Sequence, residues 1–381
     1  MLDAEEFLAD LSALGVERFF GVPDSLLSSL IVGLETRAAH GRCRFEVTAD
    51  EGAAVGLAIG SYLGSKVPAA VFMQNSGLGN AVNPLTSLAH DKVYGIPMLL
   101  LVGWRGEMTA EGQLKDEPQH VFQGEITCSM LELLDVPYAV IGTDDEAEGV
   151  RKQVADLLSL SELQSKPVAL VIRKNTFAPA QKPVDQQTTL PTREDAIKTA
   201  LDALGATPVV ATTGKISREV YEIQQANSIG GPSFLSVGGM GHAVMIATGL
   251  AMSIPGHKVA CFDGDGAVLM HAGSLATSAR QDNLVHIVFN NRVHDSVGGQ
   301  TTAGPDATLS DLATALGYGS AVRLTSLEEI RPALSRALAS SHASLLEIMV
   351  APGARSNLGR PKATPSNSKL AFMDMLGPRN D

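Results

Sequence analysis

Twelve short apolar runs alternate with amphipathic segments along the 381 residues, and this rhythm limits the folds open to the chain. Six runs precede a polar stretch: "RFFGV", "RFEVTA", "AAVFMQ", "MLLLVG", "YAVIGT" and "VALVIR". Six follow it: "PVVATT", "SFLSVG", "VACFDG", "VHIVFN", "AVRLTS" and "LLEIMV". Runs of this length and β-branched content read as strands buried on both faces. Amphipathic stretches near 3–14, 24–36, 51–64, 78–90, 145–160 and 270–281 read as helices between them. Strands alternating with helices imply parallel sheets covered on both sides. The stretch "NTFAPAQKPVDQQTTLPTRED", rich in Pro, Gln and Thr, has the character of a linker. The expected organisation is therefore α/β, with doubly wound domains over 1–175 and 195–352. A linker over 176–194 joins them, and a tail over 353–381 starts irregular and then turns helical. No literal repeat relates the halves.

Composition narrows the class. A formal net charge of −12 argues against a grip on nucleic acid phosphates. Cys43, Cys128 and Cys261 stand far apart, with neither metal-ligand spacing nor a disulfide pattern, which suits a reducing compartment. The start "MLDAEEFLADL" lacks the features of a secretory signal, and "IPMLLLVGW" is too short to span a bilayer. The expectation is a cytoplasmic protein without membrane or nucleic acid partners.

In open parallel sheets, ligands gather beyond the carboxyl ends of the strands. There, "KVACFDGDG" ends in a Gly-Asp-Gly turn and "LVHIVFNN" ends in two amides. If these strands are neighbours, Asp265 and Asn291 reach one edge of the sheet. Such an oxygen pair suits Mg²⁺, which completes its shell with phosphate and water. Gly264 and Gly266 let backbone N–H groups approach a phosphate, with a helix N-terminus behind them. Two other readings stay open: an unusual turn with an amide strand cap, and a dinucleotide turn. The second wants a third glycine where Leu269 stands.

Gly-Asp-Gly followed by Asn-Asn resembles the motif of thiamine diphosphate-dependent enzymes. That resemblance implies Mg²⁺ held by Asp265, Asn291 and the backbone carbonyl of Val293, clamping the cofactor's diphosphate. It also covers "VGGMGHA", where the Gly238 carbonyl would meet the aminopyrimidine and Met240 would wedge between the cofactor's rings. At Thr212–Lys215, "TTGK" would hold the diphosphate through Thr213 and Gly214, although a plain turn reads equally well. Glu51, in "FEVTADEGAAVGLAIGSYLG", taken alone is an acid stabilised at a helix N-terminus. The resemblance aims it at pyrimidine N1′ instead. It further implies a pyrimidine domain over 1–175, a diphosphate domain over 195–352 and no middle domain. The sites would form between copies, so the assembly would be a homodimer or larger.

Four more segments resemble the compact two-domain decarboxylases of this family: "GVPDSLLSSL", "MQNSGLGNAVNPLTSLA", "GWRGE…KDEPQH" and "HDSVGGQ". The implied reaction is conversion of 3-phosphonopyruvate to 2-phosphonoacetaldehyde and CO₂ in phosphonate biosynthesis. Sulfopyruvate or another short 2-keto acid is the second reading. Asp24 and Ser25 would open a helix, with Ser25 receiving the phosphonate. Asn75, Ser76 and Gly77 would line the site. Arg105 and Lys115 are candidate anion partners, against a plain surface ion-pair reading for each. His120 and His294, expected on loops, are candidate proton carriers, with Asp295 beside the second. Asp263 would support the metal indirectly. Arg292 departs from the family, where glycine is common after the amide pair. Outside the class, a nicotinamide-dependent dehydrogenase and a non-catalytic cofactor-binding subunit remain as alternatives.

Overall fold

A computed structural model describes residues 1–180 and 188–377; the middle of the expected linker, 181–187, lies outside them. Contacts divide the chain into two compact units, 1–184 and 185–381.

The first unit runs α1 (Ala4–Ala13), β1 (Arg18–Gly21), α2 (Ser28–Ala39), β2 (Arg44–Val47), α3 (Glu51–Ser65), β3 (Ala69–Gln74), α4 (Leu78–Pro84) and β4 (Met98–Gly103). A small hairpin follows, β5 (Met108–Thr109) and β6 (Gly112–Gln113), then α5 (Pro118–Leu133), β7 (Tyr138–Ile141), α6 (Ala147–Gln164) and β8 (Pro167–Ile172). Its six-stranded sheet has the order β2-β1-β3-β4-β8-β7, with every pair parallel. Side chains alternate between two cores. Phe72, Leu99, Leu101 and Leu170 face α1, α2 and α6, whereas Val71, Met73, Leu100 and Val102 face α3, α4 and α5. This double burial explains why the strands read as unbroken apolar runs.

The second unit comprises α7 (Arg193–Leu204), β9 (Val209–Ala211), α8 (Lys215–Asn227), β10 (Ser233–Leu235), α9 (Ala243–Ser253), β11 (Val259–Gly264), α10 (Asp265–Met270) and α11 (Ser274–Ser278). It continues with β12 (Leu284–Asn290), α12 (Leu309–Ala315), β13 (Ser320–Leu324), α13 (Ile330–Ala339), β14 (Ser344–Met349) and α14 (Pro365–Leu376). Its parallel sheet has the order β10-β9-β11-β12-β14-β13. Leaving the hairpin aside, both units place their strands in one sequence: second, first, third, fourth, sixth, fifth. The direction in which successive strands are added to the sheet reverses between the first and third strands, and ligands of such sheets sit beyond that point. In the first unit it lies between β1 and β3, and in the second between β9 and β11. No helix among the described residues is long and apolar enough to cross a membrane.

Four local expectations change. The helix expected over 24–36 starts at Ser28, because Asp24 builds a turn before it: its Oδ2 accepts the Leu26 N–H at 3.1 Å and its carbonyl accepts the Leu27 N–H at 3.2 Å. The helix expected over 270–281 is two short ones, and the first begins at Asp265, straight off the strand. Residues 85–89 end the α4 segment as a π-helical turn. Helix α5 was not foreseen, and it carries His120 in its first turn rather than on a loop. Its buried stripe is His120, Gly124, Thr127 and Leu131, so helical spacing is present but only Leu131 is a large apolar residue.

Candidate active site

In the first unit, Asp50 caps α3 by accepting the Ala53 N–H at 2.9 Å, which puts Glu51 in the first helical position. Glu51 is buried, and burial raises its carboxyl above the usual range, against the pull of Asn80. Asn80 Nδ2 donates to Glu51 Oε2 at 2.7 Å. Oε1 lies over Gly77, where a Cβ would collide with the carboxylate, so only glycine admits Glu51 in this pose.

A second group surrounds the ends of β1, β3 and β4. Asp24 is fully buried, its Oδ1 has no hydrogen-bond partner, and burial pushes its carboxyl up to about 6 despite nearby Arg105. Arg105 donates to Asp116 from Nε at 2.8 Å and Nη2 at 2.5 Å, and from Nη1 to Ser25 Oγ at 3.2 Å. Burial alone would raise the Asp116 carboxyl, but Arg105 outweighs it and holds the group well below the usual range. Asn75 ties strand ends together: its Nδ2 donates to the Arg105 carbonyl at 3.0 Å and to Thr127 Oγ1 at 2.9 Å, and its Oδ1 accepts the Arg105 N–H at 3.2 Å. Ser76 is half-buried and accepts from Gln74 at 2.7 Å. His120 is buried with Nδ1 unpartnered, and burial and then Arg105 lower its proton affinity. Lys115 is exposed on the same segment.

In the second unit, four turns meet at the carboxyl edge. β11 and β12 are parallel neighbours, which brings Asp265 to Asn291. Asp265 Oδ2 accepts from Thr302 Oγ1 at 2.8 Å. Burial pushes this carboxyl up to about 6, so it is a buried acid suited to a cation. Asn291 Nδ2 donates to Asp295 at 2.7 Å, and its Oδ1 accepts the Val293 N–H at 3.1 Å. The loop closes on itself: Val293 bridges Thr301, and His294 N–H reaches the Gln300 carbonyl at 2.7 Å. His294 lies against Gly266, is buried with Nε2 unpartnered, and is lowered by burial to about 4. Arg292 is exposed and takes φ 62°, the left-handed region that favours glycine.

The remaining turns join this edge. Thr213 Oγ1 donates to the Val237 carbonyl at 2.9 Å, and the Lys215 N–H reaches Ser296 Oγ at 3.4 Å. Gly214 enters α8 at φ 91°. Gly238 and Met240 are both half-buried, and Met240 stands between Gly239 and Gly241, at φ 66° and 83°. Met240 is thus set in a tight turn rather than in the sheet core. Asp263 turns away from this edge: it is fully buried with His286 Nε2 at 3.5 Å, and its Oδ1 accepts the Gly264 N–H. Asp295 is occupied by Arg193 Nη1 at 2.7 Å, the Gly353 N–H at 3.0 Å and Asn291.

A carboxylate, an amide oxygen and the Val293 carbonyl form a hard-oxygen donor set, which fits Mg²⁺. Sequence reading passed over Asn80, Asp116, Thr302 and Arg193. Each acts through a partner distant in sequence, and no local spacing signals it.

Residues 3–131 match the N-terminal TPP-binding domain of thiamine pyrophosphate enzymes, and residues 212–348 match their C-terminal TPP-binding domain. Phosphonopyruvate decarboxylase of Streptomyces viridochromogenes is 37% identical, over 98% of this chain and 94% of its own. The Streptomyces hygroscopicus phosphonopyruvate decarboxylase is 36% identical over the same shares. Sulfopyruvate decarboxylase of Methanosarcina acetivorans is 27% identical, over 84% of this chain and 85% of its own. With both halves matched and relatives aligned nearly end to end, the chain belongs to the thiamine pyrophosphate enzymes, as a carboxy-lyase that works with that cofactor and Mg²⁺.

Proposed function

We propose that this protein decarboxylates 3-phosphonopyruvate to 2-phosphonoacetaldehyde and CO₂, as a step in phosphonate and antibiotic biosynthesis in the cytoplasm. The observation that carries the substrate is the 37% identity to a phosphonopyruvate decarboxylase over 98% of the chain, against 27% over 84% for sulfopyruvate decarboxylase. The active unit is a homodimer or larger assembly, in which the Glu51 group of one copy and the Asp265 group of another complete one site.

Bound thiamine diphosphate supplies a carbon nucleophile and an electron sink. Asp265, Asn291 and the Val293 carbonyl hold Mg²⁺. The turns at Thr213–Gly214 and Gly264–Gly266 offer backbone N–H groups to the diphosphate. Gly238 and Met240 support the ring system. Glu51 presents Oε1 to a ring nitrogen: burial raises its carboxyl above the usual range, which favours the protonated form, and Asn80 already occupies Oε2. Ser25, Arg105 and Lys115 receive the phosphonate, while Asn75 and Ser76 shape the wall. Asp24 lies beside them as a buried acid. His294 and His120 are neutral before substrate binds, since burial disfavours the imidazolium. A dianion beside them favours protonation, so binding would load the proton that the product carbon needs.

The test is ³¹P NMR of 3-phosphonopyruvate with enzyme, Mg²⁺ and thiamine diphosphate, alongside CO₂ release. A phosphonoacetaldehyde resonance growing with CO₂ is expected. Its absence, with turnover of sulfopyruvate, would overturn the substrate assignment.

A further inference from the structure

We propose that Arg193 and Asp295 are positioning residues for the metal centre: they decide which end of the Asn291 amide faces the ion. The inference rests on the metal reading of Asp265, Asn291 and Val293. An asparagine amide has one metal-binding end and one repelling end, of nearly equal size. Here the two ends meet different neighbours. Nδ2 donates to Asp295 Oδ2 at 2.7 Å, while Oδ1 accepts the Val293 N–H at 3.1 Å. Reversing the amide would set its NH₂ against that N–H and its oxygen against a carboxylate. Both contacts would repel, so the oxygen is held toward the loop that carries Val293.

Asp295 can do this because it is itself immobilised. The Oδ2 that receives Asn291 also accepts Arg193 Nη1 at 2.7 Å, and the Gly353 N–H reaches both carboxylate oxygens at 3.0 Å. Arg193 in turn is 4% exposed and is gripped by Glu219 at 2.8 and 3.0 Å. Segments far apart in sequence thus converge on one carboxylate: the start of α7, the metal loop and the residues after β14. An acid so occupied is not an available base. Its free-energy effect falls on Asn291. Partners that orient metal ligands are worth roughly 10–100-fold in metal affinity, and Mg²⁺ tolerates little distortion of its octahedron.

Calorimetric titration of Mg²⁺ into protein saturated with thiamine diphosphate tests this, with thermal unfolding against Mg²⁺ concentration as a second readout. Asp295→Ala is expected to raise the half-saturating Mg²⁺ roughly 10–100-fold. Asp295→Asn keeps an oxygen for both Arg193 and Asn291, and is expected to bind Mg²⁺ clearly more tightly than Asp295→Ala. A role through charge alone would weaken both variants equally, and that result overturns the proposal. So does Asp295→Ala binding Mg²⁺ like the parent. Should Asp295→Ala not fold, Asp295→Ser takes its place: its hydroxyl ends short of the position of Oδ2 and so leaves the Asn291 amide unheld, and parent-like binding again overturns the idea. Asp265→Ala separates the layers. If it too binds Mg²⁺ normally, the metal assignment itself falls; if it alone loses Mg²⁺, only the positioning role does. None of these readouts depends on the substrate.

Discussion

Replacing Asp24 by Asn separates the stability of this site from its chemistry. Asp24 is fully buried, Oδ1 has no partner, and its carboxyl is pushed up from 3.8 to about 6. At 1.36 kcal/mol per tenfold change in proton affinity, keeping it ionised costs the native state about 3 kcal/mol at pH 7. The sign follows from proton binding. Between pH 3.8 and about 6 the native chain holds a proton that the unfolded chain has lost, so stability falls as pH rises through this window. Below it both states are protonated and the penalty vanishes. The attractions of Arg105 and the Leu26 N–H are already contained in the shifted value. Asp24→Asn removes the charge but keeps the size and the acceptor for Leu26. Its advantage over the parent should be near zero at about pH 3 and grow to as much as about 3 kcal/mol at pH 7. That is a gain of roughly 6–12 °C in the unfolding midpoint of a unit this large. Denaturant unfolding of both proteins across this pH range measures it. A variant that is less stable than the parent at pH 7, or a difference that does not change with pH, would refute the reasoning. Decarboxylation should decline in the same variant, because an acid retained at such a cost serves the reaction rather than the fold.

Glu51→Gln should lower turnover by roughly 10²–10⁴-fold, the usual worth of a positioned acid–base group, while calorimetry still finds thiamine diphosphate and Mg²⁺ bound. Unchanged CO₂ release would remove Glu51 from the mechanism. Arg292→Gly relieves a left-handed backbone position and should stabilise the second unit by about 1–2 kcal/mol, seen as a higher unfolding midpoint. Exhaustive chelation with removal of the vitamin should abolish CO₂ release and lower the unfolding midpoint. Ligand at a hundred times its dissociation constant contributes about 2.7 kcal/mol, and both effects should reverse when Mg²⁺ and cofactor return.

The sheets were legible because their strands are buried on both faces, and continuous apolar runs such as "AAVFMQ" and "MLLLVG" admit few other readings. Asp265 and Asn291 could be paired because adjacent parallel strands bring their carboxyl ends together. Helix α5 escaped because three of its four buried residues are histidine, glycine and threonine, so its spacing carries little hydrophobic signal. The start of α2 was misjudged because Asp24 resembles a helix cap, whereas its oxygen serves a turn before the helix. Thr302, Asn80 and Arg193 escaped for another reason. Each acts across a fold-dependent contact, 37, 29 and 102 positions from its partner. Asp295 looked like chemistry in the sequence, and only the arrangement around it reveals how fully it is engaged.

The first turns of α5 bury His120, Gly124 and Thr127 but no large apolar side chain, so polar contacts fasten them. Trp104 Nε1 donates to the Gly124 carbonyl, Asn75 reaches Thr127, and the backbones of Gly106 and Gly124 nearly touch. Such fastenings are directional and few, and water can replace them one at a time. Greasy interlocking would instead have to be surrendered all at once. The first turns of α5 are thus held by directional contacts, above the apolar anchor that Leu131 provides further along, and they carry His120 and adjoin Arg105.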